Sequence, residues 1–244
     1  AFLDDDAFAS PDWVSEIIST FDTFPGNVGV VGGPAVPRWT APPPEWLTPK
    51  LLSYLSIVDW GGETRELRPG EWLAGCNIAF KRTLLQQVGG FSETLGRSGV
   101  AALLSNEETQ VVDLIKGVGG LVVYNPSVSV EHTIDVGRLD ELWFYRRAAW
   151  QAVSDFLSDS DGARKHARKV ADRVSGFFDE RRSPSGTQDR TAAIYNLVLS
   201  CLAGEGIFGE NRGGRSGSRV VKNLRSIPSK TIKKIKSALT SFSG

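Results

Sequence analysis

The 244-residue sequence contains no methionine, only two cysteines and no apolar stretch of about 18 residues or more. Without such a stretch, and without a signal peptide, the sequence predicts no membrane span. Cys76 and Cys201 are far apart and match no metal-ligand spacing, which argues against a metal site built on cysteine. We therefore expect two reduced, buried thiols in a cytoplasmic protein.

The missing methionine includes position 1, and the first apolar segment has no preceding turn. From this we expect an amino-terminal truncation, in which the missing part carries earlier strands of the same sheet. The composition is that of an ordinary enzyme, with 41% hydrophobic residues and a formal net charge of zero. The length predicts one domain with appendages.

Acidic residues are absent after Glu210, where nine of the 28 Lys and Arg residues lie. Because all 28 acids precede this point, residues 1–210 carry a formal charge of −9 and residues 211–244 a charge of +9. The tail begins with a glycine-rich and serine-rich flexible linker. Beyond Pro228, apolar residues recur among lysines, which is typical of an amphipathic helix on an anionic membrane surface. A disordered basic tail is the alternative, because short isolated helices are marginal in water.

Three carboxylates, Asp4, Asp5 and Asp6, directly follow the first apolar segment. A buried strand that ends here would place them at the carboxyl edge of a sheet, where open α/β folds bind ligands. Carboxylate oxygens suit Mg²⁺ or Mn²⁺, especially an ion shared with a substrate diphosphate. An aspartate-rich surface turn is the alternative interpretation.

Helix and strand patterns alternate after this segment. Ser10 and Pro11 predict the cap and first turn of a helix that ends before Pro25. The proline-rich residues 37–49 predict an irregular active-site loop or cover. Strands are predicted at residues 28–31, 72–80, 121–124 and 128–130, and helices at residues 83–88 and through much of 136–210.

Two features within these segments indicate chemistry. Gly75 interrupts the strand at residues 72–80, where a glycine usually marks a bulge or the close approach of a ligand to the backbone. Glu107 and Glu108 open a later helix. Ser105 and Glu108 also have the spacing of a capping box, in which Glu108 would be a purely structural partner.

Histidine and arginine side chains are the remaining candidates. His132 follows the strand at residues 128–130, where a lone histidine is more often a hydrogen-bonded structural residue than a ligand. Arg146 and Arg147 could reach a diphosphate, as basic groups near phosphates do. The alternative is that both arginines face solvent or pair with the acidic residues just before them.

The order of these features along the chain is informative. An apolar segment runs into the aspartate triplet, and a glycine-containing strand and a Val-Gly-Gly-Phe segment at residues 88–91 follow. An acidic pair then opens a helix, and Tyr-Asn-Pro at residues 124–126 precedes a histidine. This ordered set resembles the family 2 glycosyltransferases with a GT-A fold, over about the first 135 residues.

The resemblance implies an α/β fold in which a Rossmann-like mixed sheet is flanked by helices. Residues 1–135 would be the carboxyl-terminal part of this catalytic domain. A helical extension at residues 136–210 and the basic linker and tail at residues 211–244 would follow it.

The resemblance also implies roles for the polar side chains. Asp4 and Asp6 would hold Mg²⁺ or Mn²⁺, with His132 as the further ligand found in some members. Glu108 would be the catalytic base, beside Glu107, although the family usually has an aspartate where this chain has the longer glutamate. The donor and acceptor pocket would include Asp5, Gly75, Cys76 and Asn77, to which the charge argument adds Arg146 and Arg147.

The implied reaction is the inverting transfer of a hexosyl or deoxyhexosyl group from a nucleotide sugar to a hydroxyl of a glycan or lipid-linked acceptor, as in polysaccharide biosynthesis. A bound cation would neutralise the leaving diphosphate, and a carboxylate would take the acceptor's proton. The truncated chain alone is expected to be inactive. We expect no nucleic-acid partner, and peripheral binding at the inner face of the cell membrane through the basic tail.

Two other functions stay open on the sequence alone. Asp4 and Asp6 after an apolar strand also fit a HAD-like phosphohydrolase, with Asp4 as nucleophile and Asp6 as acid and base. The other is an inactive, glycosyltransferase-like binding subunit. Metal-dependent turnover of a nucleotide sugar would distinguish the three.

Overall fold

The computed structural model describes residues 1–92, 103–176 and 186–204. These residues form two units, one built from residues 1–92 and 107–140 and the other from residues 103–106, 141–176 and 186–204. The predictions for the basic tail at residues 211–244 concern a segment outside the described residues.

The first unit is an α/β structure with two mixed sheets. Its described residues contain eight strands, three helices and two 3₁₀ helices. The strands are β1 (Phe2–Leu3), β2 (Ala7–Ala9), β3 (Val28–Gly32), β4 (Ala35–Trp39), β5 (Arg65–Glu66), β6 (Asn77–Phe80), β7 (Leu121–Tyr124) and β8 (Val130–Ile134). The helices are α1 (Trp13–Thr23), α2 (Arg82–Gln87) and α3 (Glu107–Gly117), and the 3₁₀ helices are Pro49–Leu55 and Val136–Leu139.

The larger sheet has the strand order β1-β6-β3-β7-β5, in which β3 and β7 are parallel. Its central strand β3 is buried at every residue, the pattern of a strand covered on both faces. Val31 packs in one cluster with Trp13 of α1, whereas Val30 packs in another with Val111 and Ile115 of α3. Because successive strand residues point to opposite faces, the sheet has a helix on each side.

Close packing fixes where α3 lies against this sheet. A Cβ atom added to Gly29 of β3 would lie 2.5 Å from Cγ2 of Ile115. No side chain fits at that distance, so glycine at this position lets the α3 backbone approach β3 closely. The helix that carries Glu107 and Glu108 is thereby anchored to the centre of the sheet.

The smaller sheet has the order β2-β8-β4. Strand β8 is antiparallel to β2 and parallel to β4. The register pairs Ala7 with His132. This pairing brings the chain that follows the aspartate triplet beside the strand that carries the histidine.

The second unit is helical. Its helices are α4 (Glu141–Ser158), α5 (Ser160–Gly176) and α6 (Thr187–Ala203). Ala152, Ala163 and Leu199, one from each helix, form a shared buried cluster. These helices lie in the region that the sequence predicts to be helical, while the predicted domain boundaries stay predictions. No helix in the described ranges is both long and apolar enough to cross a membrane.

Several predicted elements differ in the structure. Phe2 and Leu3 are about half exposed, at 44% and 42%, and form an edge strand where the sequence predicted a buried one. Helix α1 has Asp12 as its N-cap residue, so Ser10 does not cap it; its hydroxyl donates instead to the carbonyl of Ser127. The cause is tertiary, because the segment that begins with β2 pairs with β8 and holds Ser10 outside the helix.

Strand boundaries also change. The predicted strand at residues 72–80 shortens to Asn77–Phe80. Part of the predicted loop at residues 37–49 is strand, since β4 runs through Trp39 alongside β8. Strand β8 continues to Ile134, so His132 lies within a strand and not after one.

Candidate metal and catalytic site

A tight turn presents the aspartate triplet. Between β1 and β2, the N–H of Ala7 donates to the carbonyl of Asp4 at 3.1 Å. The carbonyl of Asp6 accepts from the N–H of Thr133 at 2.9 Å, which extends the pairing of β2 with β8. The backbone of β8 therefore fixes Asp6 beside His132.

The three predicted metal ligands lie together. One ligand atom from each of Asp4, Asp6 and His132 lies within 4.8 Å of the other two. Nε2 of His132 is 3.4 Å from Oδ1 of Asp6. Asp4 is exposed, Asp6 is partly buried and His132 is buried, so the cluster opens to solvent on the aspartate side.

A hydrogen bond selects the tautomer of His132. Its Nδ1 lies 3.0 Å from the carbonyl of Leu55, which can only accept, so Nδ1 carries the proton. The lone pair of Nε2 then faces Asp6. Burial lowers the pKa of His132, although the charge of Asp6 partly opposes the shift, and the imidazole is therefore neutral near pH 7. A neutral imidazole oriented by a backbone carbonyl is the usual form of a metal-ligating histidine.

This donor set fits a divalent cation. Two carboxylates supply hard oxygen ligands, and the imidazole supplies a nitrogen whose orientation is already fixed. Arg138 is a neighbour of this set that the sequence analysis missed. Its Nη2 is 3.3 Å from Oδ2 of Asp6 and its Nη1 is 3.5 Å from Nε2 of His132. An arginine six residues beyond the histidine was the available signal, but its approach depends on a turn that the sequence pattern did not reveal.

The predicted base lies in the same unit. A Cβ atom on Gly75 would be 3.5 Å from the carboxyl carbon of Glu108, an ordinary contact distance, so this carboxyl group faces Gly75 with room for about a methyl group between them. The pKa of Cys76 is raised to about 12, first by burial and then by the charges of Asp4 and Asp6, with a smaller contribution from Glu108. The thiol therefore stays protonated at neutral pH. The carboxylates of Asp4, Asp6 and Glu108 all lie close enough to Cys76 to raise its pKa.

The capping box predicted for Ser105 and Glu108 is wrong in its register. Asn106 has φ 82°, which is not helical, and α3 begins at Glu107. The N–H of Ser105 donates to Oγ of Ser154 at 3.0 Å. A capping box would need residue 106 to be the first helical residue, so Ser105 and Glu108 do not form the predicted capping box.

Glu107 contributes a second carboxylate at this helix start. Its Oε2 atom is buried and has no hydrogen-bond partner within the described part of the chain. A buried carboxylate oxygen without a partner is costly, and such atoms are found where a ligand or water completes the bonding. The role of Glu107 stays a prediction.

Asn77 has a structural role that the sequence did not indicate. Its Oδ1 accepts from Nε1 of Trp13 at 2.8 Å, and its Nδ2 donates to the carbonyls of Pro34 and Val128 at 3.0 and 2.7 Å. The buried amide of this β6 residue thus joins α1 to the segments that precede β4 and β8. Its predicted part in ligand binding stays a prediction, as does that of the exposed Asp5.

Arg146 and Arg147 lie in the second unit, on α4. Arg147 is 9% exposed, and its Nη2 donates to Oγ of Ser105 at 3.3 Å. The interpretation that this arginine simply faces solvent is therefore wrong. Diphosphate binding by the two arginines stays a prediction.

Comparison with known proteins gives distant relatives. The chain is 32% identical over 159 residues to glucosyl-dolichyl phosphate glucuronosyltransferase of Haloferax volcanii, covering 65% of this chain and 50% of that protein. It is 28% identical over 184 residues to succinoglycan biosynthesis protein ExoM of Rhizobium meliloti, covering 72% of this chain and 50% of that protein. The chain thus spans about half the length of these curated relatives. No protein-family model matches the sequence, and no solved structure matches it. The chain is a distant homologue of glycosyltransferases.

Proposed function

We propose that this chain carries the metal site and the catalytic base of an inverting family 2 glycosyltransferase with a GT-A fold. The enzyme would transfer a hexosyl or deoxyhexosyl group from a nucleotide sugar to a hydroxyl of a glycan or lipid-linked acceptor. The observation that supports this most is the convergence of Asp4, Asp6 and a neutral His132 in one cluster. The distant homology to glycosyltransferases supports the interpretation of this cluster as a cation site for the diphosphate of a sugar donor.

Asp4, Asp6 and His132 would hold Mg²⁺ or Mn²⁺. When bound, the ion would act as a Lewis acid that neutralises the charge developing on the leaving diphosphate. The carbonyl of Leu55 keeps the His132 proton on Nδ1 and leaves Nε2 as the ligand atom. The β2 and β8 register pairs Ala7 with His132, and the carbonyl of Asp6 accepts from the N–H of Thr133, so the Asp6 backbone is held next to the strand position of His132.

Glu108 would act as the general base. An acceptor hydroxyl has a pKa far above 7, so a carboxylate within hydrogen-bond reach must take its proton during attack. The lack of a side chain at Gly75 leaves space beside the Glu108 carboxyl group. Cys76 does not compete as a base or nucleophile, because its thiol is protonated at neutral pH. Direct attack by the acceptor inverts the anomeric carbon and needs no second nucleophilic carboxylate.

The names of the two relatives support a proposal for the acceptor class. The name of the Haloferax volcanii protein includes glucosyl-dolichyl phosphate, and the name of the Rhizobium meliloti protein refers to succinoglycan biosynthesis. We propose a lipid-linked acceptor for this chain, with the basic residues 211–244 binding the anionic membrane surface on which it lies. Deleting residues 219–244 should abolish salt-sensitive binding to anionic vesicles. Vesicle binding that survives the deletion would contradict this role.

Turnover of a nucleotide sugar tests the proposal. Release of nucleoside diphosphate by the protein should require Mn²⁺ or Mg²⁺ and should stop with EDTA. Asp6→Asn should abolish it, while Asp22→Asn, which removes an exposed carboxylate from α1, should leave it unchanged. Release of inorganic phosphate from a simple phosphomonoester would favour the phosphohydrolase. No release of nucleoside diphosphate or inorganic phosphate, with or without metal, would favour an inactive binding subunit.

A further inference from the structure

We propose that Arg138 couples cation binding to diphosphate binding at this site. In this proposal the guanidinium pairs with Asp6 until a cation arrives with a diphosphate, and it then binds the diphosphate oxygens. The inference rests on the proposed function, since it assumes a diphosphate donor. It concerns a residue to which neither the sequence pattern nor the relatives assign a role.

Local structure places Arg138 at the cluster. Strand β8 ends at Ile134, and Oδ1 of Asp135 accepts from the N–H of Gly137 at 2.8 Å. The N–H of Arg138 donates to the carbonyl of Asp135 at 2.9 Å, which closes the first turn of the 3₁₀ helix. The chain therefore folds back just after the strand that carries His132, and the arginine side chain returns to Asp6.

The contacts of Arg138 are long and partly open to solvent. The guanidinium is 3.3 Å from a carboxylate oxygen of Asp6, and the two side chains are 26% and 32% exposed. Typical charge-assisted contacts between such groups are shorter, at about 2.7–2.9 Å. A partly exposed ion pair of this kind contributes little to stability, so it can exchange partners at small cost.

A cation and the guanidinium would compete for Asp6. Both are positively charged and both would bind the same carboxylate. A divalent ion bound by Asp4, Asp6 and His132 would also repel the guanidinium of Arg138, at a separation of a few ångströms. A bare cation must therefore displace the guanidinium without offering it a new partner. A diphosphate removes this conflict, because its oxygens can bind the ion and accept a bidentate pair of hydrogen bonds from arginine.

The proposal predicts that the two ligands bind cooperatively. Mn²⁺ alone should bind weakly, and the Mn²⁺ complex of inorganic pyrophosphate should bind tightly. Arg138 would weaken binding of the cation alone and strengthen binding of the cation together with the diphosphate. By linkage, each of these two ligands would then raise the affinity of the protein for the other. Removing Arg138 should therefore shift the two affinities in opposite directions.

Binding measurements on Arg138→Gln test this directly. Isothermal titration of the full chain with Mn²⁺ should give a dissociation constant about 3- to 10-fold lower than in the wild type. Titration with Mn²⁺-pyrophosphate should give one about 10-fold higher, through loss of the charged bidentate contact. Arg138→Lys should keep the competition but recover only part of the pyrophosphate affinity.

Arg82→Gln is the matched control, since Arg82 is an exposed arginine at the start of α2 in the same unit. It should change neither affinity. Parallel weakening of both affinities in Arg138→Gln, as from damaged folding, would overturn the proposal, and so would two unchanged affinities. A wild type that binds Mn²⁺-pyrophosphate no better than Asp6→Asn does would refute the proposed function itself, and so is distinguishable from failure of the Arg138 proposal alone.

Discussion

Each unit contains a cluster of polar side chains around an aspartate, and the two aspartates differ in how many short hydrogen bonds their carboxylates accept. In the second unit, Oδ1 of Asp155 accepts from the amides of Asn106 and Gln151, both at 2.7 Å, and Oδ2 accepts from the hydroxyl of Tyr195 at 2.6 Å. In the first unit, the contacts of the Asp6 carboxylate with side chains among the described residues are longer, at 3.4 Å to His132 and 3.3 Å to Arg138. A carboxylate whose oxygens are fully hydrogen-bonded stabilises the fold, whereas one with open acceptor positions can bind a ligand.

The same contrast exists within the first unit. Glu71 forms a bidentate pair with Arg65, at 2.6 and 2.8 Å, and accepts from the N–H of Arg68 at 2.8 Å. These bonds lower the pKa of Glu71 to about 2, with the Arg65 hydrogen bonds as the largest cause. Glu71 and Asp155 are therefore bonded to the protein in a way that Asp6, the proposed metal ligand, is not.

The largest change in this comparison is expected from Glu108→Gln. The amide keeps the size of the side chain but cannot accept a proton, so turnover should fall about 10²–10⁴-fold. Thermal stability should change little, because Gln still accepts hydrogen bonds. Single-turnover kinetics and a melting curve on the same sample measure both quantities. An unchanged rate would exclude Glu108 as the base and would make Glu107→Gln the next variant.

Asp155→Ala should show the opposite profile. It leaves the amides of Asn106 and Gln151 and the hydroxyl of Tyr195 without their acceptor, so the protein should lose about 2 kcal/mol of stability. The affinity of the native-state protein for Mn²⁺ should stay unchanged. Thermal denaturation and Mn²⁺ titration below the melting transition separate the two effects. A loss of Mn²⁺ affinity with no loss of stability would invalidate the contrast between the clusters.

The sequence predicted those parts of the fold that depend on local patterns. The buried run of β3, the apolar face of α1 and the strand β7 follow from periodicity and turn residues. The smaller sheet was not predicted, because β2 has three residues and its pairing with β8 joins segments that are distant in sequence. No local signal records such a pairing.

The site was predicted to a similar extent. Asp4, Asp6 and His132 could be named from their order along the chain, and the structure brings them together. The Arg138 contact and the failure of the capping box could not be predicted. The first depends on a 3₁₀ turn after β8, and the second on the positive φ of Asn106, whose side chain is held by Gln151 and Asp155.

A smaller, pH-dependent effect is expected from Arg65→Gln. Because the folded-state pKa of Glu71 lies below the ordinary 4.5, its pairing stabilises the protein above that pH and is lost as the pH falls from about 4.5 to about 2. The variant should be less stable than the wild type at pH 7, and the difference should shrink across that acidic range. Melting temperatures measured from pH 7 to pH 3 would show it. A difference that is constant with pH would mean that packing of Arg65, and not its charge, stabilises this loop.

The central claim is that Asp6, with Asp4 and His132, binds a divalent cation, and a measurement of Mn²⁺ binding tests it directly. Electron paramagnetic resonance of free Mn²⁺, recorded with pyrophosphate present at constant concentration, should show one site per chain in the wild type and in Asp22→Asn. Asp6→Asn should weaken that site by about 100-fold or more, since it removes a ligand charge, while its melting temperature stays close to that of the wild type. Equal Mn²⁺ binding by wild type and Asp6→Asn would contradict the account, because the aspartate triplet would then be a surface turn without a metal.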